Sequence, residues 1–195
     1  MADCNIPHRA KVLVVGGGGR EHAIVDALSR SSRVEKIFCA PGNAGIARQA
    51  KCVPLEDTQV DELAEFAENE GIDLTVVGPE VSLAAGIVDE FEARGLKIFG
   101  PSKAAARIES SKDFAKELMA KYNVPTAAYR TFSDYDEALA YVNAGKLPVV
   151  LKYDGLAAGK GVVVAQTLEE ADEALKDMLL DDKFGHGKVV VEEFL

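Results

Sequence analysis

Residues 11–23 read KVLVVGGGGREHA, a short apolar run that leads directly into four glycines and then into the polar start of a helix. Comparable apolar runs follow at 36–39, 73–77 and 96–99, and helical patterns separate them. Strands that are apolar throughout are typical of a sheet buried on both faces, and intervening helices are typical of parallel strands. The sequence therefore predicts an α/β domain with an open parallel sheet.

Three helices are expected between these strands. A capping box at Thr58 and Asp61 opens the second helix, and Gly95 ends the third. The helices are predicted over residues 20–31, 58–70 and 82–94.

The loops that follow the four strands all contain glycine or proline. In an open parallel sheet, ligands bind beyond the carboxyl ends of the strands. We therefore expect four loops near one edge of the sheet: Gly16–Glu21, Pro41–Gly45, Gly78–Glu80 and Gly100–Lys103.

After Pro101 the pattern predicts a second region that mixes helices with strands. Ser111 and Ser133 are expected to cap two of its helices, and Thr167 with Glu170 forms a capping box at the third. The last strand has no later strand in the sequence to pair with, so we expect more protein to follow Leu195. The helices are predicted at 111–123, 134–143 and 167–180, and the strands at 128–132, 147–153, 161–166 and 188–192.

The glycine turn after the first strand departs from the dinucleotide-binding pattern. The third glycine of Gly-x-Gly-x-x-Gly is Glu21, and Ala40 stands where an acidic residue is expected about 20 residues further on. A nicotinamide cofactor is therefore not expected. Four glycines still favour close approach to a phosphate or sugar at a helix N-terminus, although a tight structural turn is the alternative. His22 fits packing and ligand contact equally well.

A second glycine-rich segment, Asp154–Gly161, joins two predicted strands. It differs from a phosphate-binding P-loop because Gly161 replaces the Ser or Thr that should follow Lys160. A glycine-rich hairpin of this kind can close over a triphosphate, with Lys152 and Lys160 as cationic contacts. The alternative is a solvated hairpin. On a strand, Lys152 should point away from Leu151 and Tyr153.

Composition narrows the classes of partner. The chain has 32 acidic and 22 basic side chains, and its net charge is −10. A protein that binds DNA or an anionic membrane usually carries a basic face, so neither partner is expected. No apolar run approaches the roughly 20 residues of a membrane span, and the tail at residues 1–10 has no apolar core typical of a signal peptide.

Cys4, Cys39 and Cys52 are odd in number and form no Cys-x-x-Cys pair. Neither a disulfide nor a zinc site is expected, and a reducing cytoplasmic compartment fits. Cys39 ends an apolar run and should pack as a small hydrophobe.

Several segments together resemble the glycinamide ribonucleotide synthetases of the ATP-grasp superfamily. The resemblance runs from Lys11 to Leu195 in the order and spacing of that family. Its most specific parts are Asp154–Val163 and Val191–Leu195. The other segments that carry it are Gly16–Ala23, Pro41–Gly45, Val77–Glu80, Phe99–Ala106, Ser111–Phe114 and Pro125–Tyr129.

The resemblance implies a Rossmann-like, pre-ATP-grasp domain at 11–108 and the first part of an ATP-grasp domain at 109–195. It further implies a magnesium-dependent ligase of purine biosynthesis. Such enzymes phosphorylate the carboxylate of glycine with ATP, and the amine of 5-phosphoribosylamine then attacks the glycyl phosphate. The magnesium ligands (Mg2+ or Mn2+) would lie beyond Leu195, so this chain would be an inactive piece of a longer enzyme.

The resemblance also assigns roles to single residues. Phosphoribosylamine would be held by Gly18, Gly19, Arg20, Glu21 and Glu80. ATP would contact Lys112, Lys152, the flap residues Gly155, Leu156, Ala157, Ala158, Gly159, Lys160 and Gly161, and the adenine-edge residues Glu192, Glu193, Phe194 and Leu195. Lys152 and Lys160 would be the catalytic cations.

Two other functions stay open at this point. The flap is also compatible with an ATP-grasp ligase for a different carboxylate and amine. The expected lack of metal ligands is compatible with a catalytically silent nucleotide-binding module. The Gly16–Glu21 turn and the Val77–Glu80 motif favour the glycine ligase.

Overall fold

A computed structural model of the chain describes residues 6–157, 161–181 and 183–195. The chain divides between Ala106 and Arg107 into two compact units, each built around its own sheet. The predicted α/β class with a parallel N-terminal sheet is confirmed.

The first unit alternates strands and helices. Its elements are β1 (Ala10–Gly16), α1 (Gly19–Ser29), β2 (Val34–Pro41), a 3₁₀ turn (Ile46–Arg48), β3 (Lys51–Cys52), α2 (Val60–Glu70), β4 (Leu74–Val77), α3 (Glu80–Ala85), α4 (Ile87–Ala93) and β5 (Ile98–Phe99), followed along the chain by α5 (Lys103–Ser110). The strands form a five-stranded parallel sheet in the order β3-β2-β1-β4-β5. Helices cover both faces, since Leu13 and Phe38 pack under α2 and α4 while Val14 and Cys39 pack under α1.

The second unit is built from helices and an antiparallel sheet. Its elements are α6 (Lys112–Lys121), β6 (Tyr129–Phe132), α7 (Tyr135–Ala144), β7 (Val149–Tyr153), β8 (Val162–Ala165), α8 (Leu168–Leu179) and β9 (Val189–Glu193). The four strands are arranged in the order β6-β9-β7-β8. One face, which carries Leu151 and Val191, packs against the apolar stripes of α7 and α8. Lys152 lies on the other face, as predicted.

Two helix predictions in the first unit are wrong. The single helix over 82–94 is two helices, because Gly86 takes φ +100° and interrupts the ladder between them. The helix expected at Thr58 begins at Val60, where Gln59 occupies the cap position. The Gln59 side chain accepts a hydrogen bond from the Glu56 N–H at 2.8 Å, which closes a preceding turn instead of a capping box. The two-residue strand β3 and helix α5 were not predicted.

The caps of the second unit follow local rules more closely. Ser111 and Thr167 accept the expected backbone hydrogen bonds at 3.2 Å. Asp134 rather than Ser133 caps α7, because its carboxylate accepts from the Glu137 N–H at 2.9 Å.

The expectation of an unpaired last strand is wrong: β9 pairs with both β6 and β7.

Candidate functional site

The glycine turn of the first unit is built around a buried carboxylate. Glu21, in the first turn of α1, is 3% exposed. Its Oε2 accepts a hydrogen bond from the Gly18 N–H at 2.6 Å, and its Oε1 accepts one from Arg20 Nε at 3.0 Å. Both carboxylate oxygens are thus bonded within the turn itself.

Glu21 explains most of the glycines around it. A Cβ atom at Gly16 or Gly18 would lie 2.7 or 2.8 Å from the Glu21 side chain, and one at Gly78 would overlap it. A Cβ at Gly17 would lie 2.6 Å from a backbone oxygen of the β2 loop. Gly19 differs from these four because no atom of the described residues would lie within 4 Å of a Cβ there. The N-terminus of α1 is therefore accessible at Gly19.

Arg20 and Glu80 complete the cluster at the mouth of the turn. The Arg20 guanidinium reaches Glu80 at 3.2 Å, and both side chains are exposed. Hydrogen bonds from Arg20 to Glu21 and then to Glu80 raise the pKa of Arg20. The pKa of Glu80 is lowered, first by its own backbone N–H and then by Arg20. The pair is charged at neutral pH, with one cation and one anion open to a ligand.

Three of the four predicted edge loops meet here. The Gly42 N–H donates to the Gly16 carbonyl at 3.2 Å, and Asn43 Nδ2 donates to the Gly17 carbonyl at 2.8 Å. His22 packs against Gly45, in keeping with a structural role. The cluster follows β1 and β4, where the strand order switches direction, which is the usual ligand edge of such sheets. The fourth loop packs on α4 instead, and its Lys103 N–H donates to Asp89 at 2.7 Å.

The second unit contains a pocket of about 500 Å³ beside helix α6. Positions 112, 115, 116 and 119 of α6 line it, a spacing that places them on one face of the helix. Its volume lies within the range typical of small-molecule sites. The lining residues are Ile108, Glu109, Lys112, Ala115, Lys116, Met119, Thr126, Ala127, Lys152, Glu192 and Leu195.

A buried carboxylate also lies at this pocket, and it is bonded differently from Glu21. Glu192 on β9 is 5% exposed. Its Oε2 lies 2.8 Å from Lys152 Nζ and 3.2 Å from Lys116 Nζ. Its Oε1 is buried and has no hydrogen-bond partner among the described residues. A buried acceptor without a donor is costly and requires an explanation.

The base of the predicted flap is tied to the start of α6. Lys112 Nζ donates to the Gly155 carbonyl at 2.9 Å. The Asp154 carboxylate accepts from Ser111 Oγ and from the Asp113 N–H, both at 3.2 Å. Leu156, Ala157 and Gly161 follow in this segment, and Gly161 lies against Tyr153 and Ala157. Ala158, Gly159 and Lys160 lie outside the described residues.

The predicted adenine-edge residues do not share one environment. Leu195 lines the same pocket as Lys152 and Glu192. Glu193 and Phe194 line a second pocket of about 410 Å³, and Glu192 borders both pockets. The backbone N–H of Glu193 donates to the Ala128 carbonyl at 3.0 Å, so this donor is already used within the sheet.

Sequence reasoning missed Lys116. This lysine is only 7% exposed, although most lysines are solvated. One signal was available, since Lys112 and Lys116 are four residues apart on a predicted helix and therefore share a face. Sequence alone did not show that this face is the buried one.

The family models match both units. The model described as phosphoribosylglycinamide synthetase, N domain, matches residues 10–109, and the ATP-grasp (A) domain of the same family matches residues 110–195. These matches place the chain in the ATP-grasp class. More specifically, the chain belongs to the phosphoribosylglycinamide synthetase family.

Similar proteins agree with this placement. A phosphoribosylamine–glycine ligase from Neisseria meningitidis serogroup B is 58% identical over 187 residues, which cover 95% of this chain and 44% of that protein. A solved phosphoribosylamine–glycine ligase from Thermotoga maritima has 32% identity and a TM-score of 0.76, over 95% of this chain and 44% of that one. The chain thus spans less than half the length of these relatives.

A more distant structure shows the shared fold alone. It is an N5-carboxyaminoimidazole ribonucleotide synthetase solved as an ADP complex, with 18% identity and a TM-score of 0.78 over 100% of this chain and 49% of that one.

Other features of the described residues concern metals, membranes and thiols. No three His, Cys, Asp or Glu side chains within 6–157, 161–181 and 183–195 are grouped as a metal site requires. None of the helices in these ranges is long and apolar enough to cross a membrane.

Cys39 and Cys52 are free thiols. Cys39 is fully buried, as predicted, and burial raises its pKa to about 12.

Proposed function

We propose that the intact protein carrying this chain joins glycine to 5-phosphoribosylamine, with ATP converted to ADP and phosphate. The product would be glycinamide ribonucleotide, an intermediate of purine biosynthesis, made in the cytoplasm. Membership of the phosphoribosylglycinamide synthetase family and the names of the relatives support this proposal.

The observation that carries the proposal is the pocket beside α6. Lys112, Lys116 and Lys152 line one 500 Å³ pocket in a chain whose net charge is −10. Glu109 and Glu192 line the pocket too, so the three lysines leave a small excess of positive charge, which suits a triphosphate. The apolar side chains of Ile108 and Met119 suit a base. ATP would supply a phosphoryl group that makes the glycine carboxylate a better electrophile, and the lysines would offset the negative charge.

Within this pocket we assign Lys112 and Lys152 to the phosphates of ATP. Lys152 keeps 29% of its side chain exposed while Glu192 holds its ammonium group, so it is positioned before a ligand arrives. Glu192 and the backbone of 193–195 would read the edge of the adenine. The segment Gly155–Gly161, with Lys160, would cover the triphosphate as a flap, and Lys160 would be the second catalytic cation.

The Glu21 cluster would hold 5-phosphoribosylamine. The exposed Arg20 and the N-terminus of α1 at Gly19 suit its phosphate, because both present positive charge, whereas the neighbouring Gly18 N–H is already donated to Glu21. The exposed carboxylate of Glu80 suits its amine. Glu21 would act through Arg20, since both of its oxygens are occupied within the turn.

Magnesium is the expected companion of ATP, but the described residues do not offer a site for it. We propose that its ligands lie in the part of the relatives' length that this chain does not cover.

The test measures phosphate release by the intact protein with ATP, supplying glycine and phosphoribosylamine separately and together. We expect rapid release only when both are present. Release that needs neither would contradict the assignment. Lys152→Met should weaken ATP binding about tenfold, the cost of one charge-assisted contact, whereas Lys121→Met on the exposed end of α6 should leave it unchanged.

A further inference from the structure

The side chain of Lys116 is buried, and its ammonium group contacts oxygen atoms of the protein. Its ammonium group lies among three oxygens: Thr126 Oγ1 at 2.7 Å, the Ala127 carbonyl at 3.2 Å and Glu192 Oε2 at 3.2 Å. Its side chain is 9% exposed, compared with 29% for Lys152. An ammonium group has three N–H donors, and three acceptors surround this one. Lys116 is therefore occupied by the protein itself.

The position of Lys116 determines how Glu192 is held. Lys116 and Lys152 both engage Oε2, one from helix α6 and one from strand β7. Two cations on one oxygen fix the rotation of the carboxylate and leave Oε1 buried, with no donor for it among the described residues. An ionised carboxylate accepts hydrogen bonds and donates none. The free oxygen therefore calls for a ligand that supplies an N–H or O–H group.

We propose that Lys116 is a positioning residue that holds Glu192 so that Oε1 accepts a hydrogen bond from the exocyclic amino group of adenine. Lys116 would thereby determine the preference for an amino-purine over an oxo-purine nucleotide. An oxo-purine places an acceptor opposite Oε1, where two acceptors repel each other and no donor reaches the buried oxygen. This inference rests on the proposed binding of ATP in the pocket beside α6.

The experiment compares ATP with inosine triphosphate, which carries an oxygen in place of the amino group. Binding of both nucleotides to the intact protein is measured by calorimetry for wild type, Lys116→Met and the exposed-lysine control Lys121→Met. The readout is the ratio of the two dissociation constants. Removing one cation weakens both nucleotides through the loss of charge, but only a change at the base alters the ratio.

We expect wild type to favour ATP, and Lys116→Met to reduce that preference about tenfold, the effect of one well-placed hydrogen bond to a charged group. Lys121→Met should leave the ratio unchanged. Thr126→Val, which removes one anchor of Lys116 but keeps its charge, should shift the ratio in the same direction by a smaller factor. Melting temperatures of all variants identify any loss of folding, in which case Thr126→Val provides the test.

Each other outcome has a distinct meaning. If Lys116→Met weakens both nucleotides equally, Lys116 supplies only charge or packing and the inference is wrong. If wild type binds both nucleotides equally, Glu192 does not read the base, although ATP binding stands. If wild type binds neither nucleotide, the proposed function itself fails.

Discussion

Glu21 and Glu192 are both buried glutamates, but their hydrogen bonding differs. The bonding of Glu21 indicates a structural role, whereas that of Glu192 indicates a ligand site. Each oxygen of Glu21 accepts a hydrogen bond within its own turn. Glu192 instead binds two lysines through one oxygen, and no described residue donates to the other. A buried polar group that is satisfied internally stabilises the fold, whereas one left unsatisfied costs free energy until a ligand completes it.

The glycines around Glu21 also indicate a structural role for this residue. Gly16, Gly18 and Gly78 surround Glu21 so closely that no side chain fits between them. A motif that resembles a phosphate-binding turn is thus occupied largely by a residue of the protein itself. The opening for a ligand lies at its rim, at Gly19, Arg20 and Glu80.

The largest expected effect comes from a substitution that disrupts the packing and hydrogen bonds around Glu21. Gly78→Ala should lower the free energy of unfolding by about 2–3 kcal/mol, because the new methyl group overlaps the Glu21 carboxylate and displaces a buried, bonded charge. Chemical denaturation followed by circular dichroism measures the loss. Gly19→Ala is the matched control and should stay within about 0.5 kcal/mol, because open space surrounds Gly19. Equal losses in the two variants would contradict the role given to Glu21.

The second prediction compares the two carboxylates directly by isosteric neutralisation. Glu21→Gln should destabilise the protein by about 1–2 kcal/mol, because one amide oxygen cannot replace both acceptors. Glu192→Gln should instead lower the preference for ATP over inosine triphosphate at least about tenfold. Its amide oxygen can still accept from both lysines, while its NH2 group would face the base as a donor. A preference that Glu192→Gln leaves intact would show that Oε1 does not face the base.

The smallest expected effect concerns a bonded carboxylate nearer the surface. Asp113 accepts from Lys188 Nζ at 2.7 Å and from Thr131 Oγ1 at 2.8 Å. Burial acts to raise the pKa of Asp113, but these two bonds outweigh it and the pKa is lowered. A carboxyl whose folded pKa is lowered stabilises the protein above its ordinary pKa of about 4, and this contribution is lost as the pH falls through the lowered value.

Asp113→Asn should therefore cost at most about 1 kcal/mol at neutral pH, since Lys188 is half exposed and solvent weakens the pair. The difference from wild type should disappear in acid. Urea unfolding at several pH values measures it, and Asp181→Asn at an exposed position is the control. A difference that grows as the pH falls would contradict the direction assigned to the pKa of Asp113.

Local patterns predicted much of the fold. The apolar runs at 11–15 and 73–77 became central strands, and the Ser111 and Thr167 caps formed because such hydrogen bonds depend on neighbouring residues alone. The helix break at Gly86 was not predicted, because a helical pattern continues through this residue. The break appears only once the backbone adopts a positive φ there. The two residues of β3 are too few to show a periodic pattern.

Part of the candidate site was likewise predicted from the sequence, and part was not. The residues around Gly16–Glu21 and Glu80 come together as expected because parallel strands deliver their loops to one edge. The domain boundary at 108/109 and the ligand roles of the predicted residues stay predictions. The environment of Lys116 was beyond prediction, because α6 and the nearby stretch at 126–127 meet β9, which is distant from both in sequence.

Sequence alone therefore determined the order of most strands and helices, the acidic character of the chain and its family, because periodicity, composition and motif order can be read directly along the chain. Only the tertiary structure decided that Glu21 fills its own glycine turn and that one oxygen of Glu192 has no partner in the part of the chain that the structure describes. Burial and hydrogen-bond partners depend on which segments the fold brings into contact. The same residue type is consequently a finished structural contact in one unit and an open acceptor in the other.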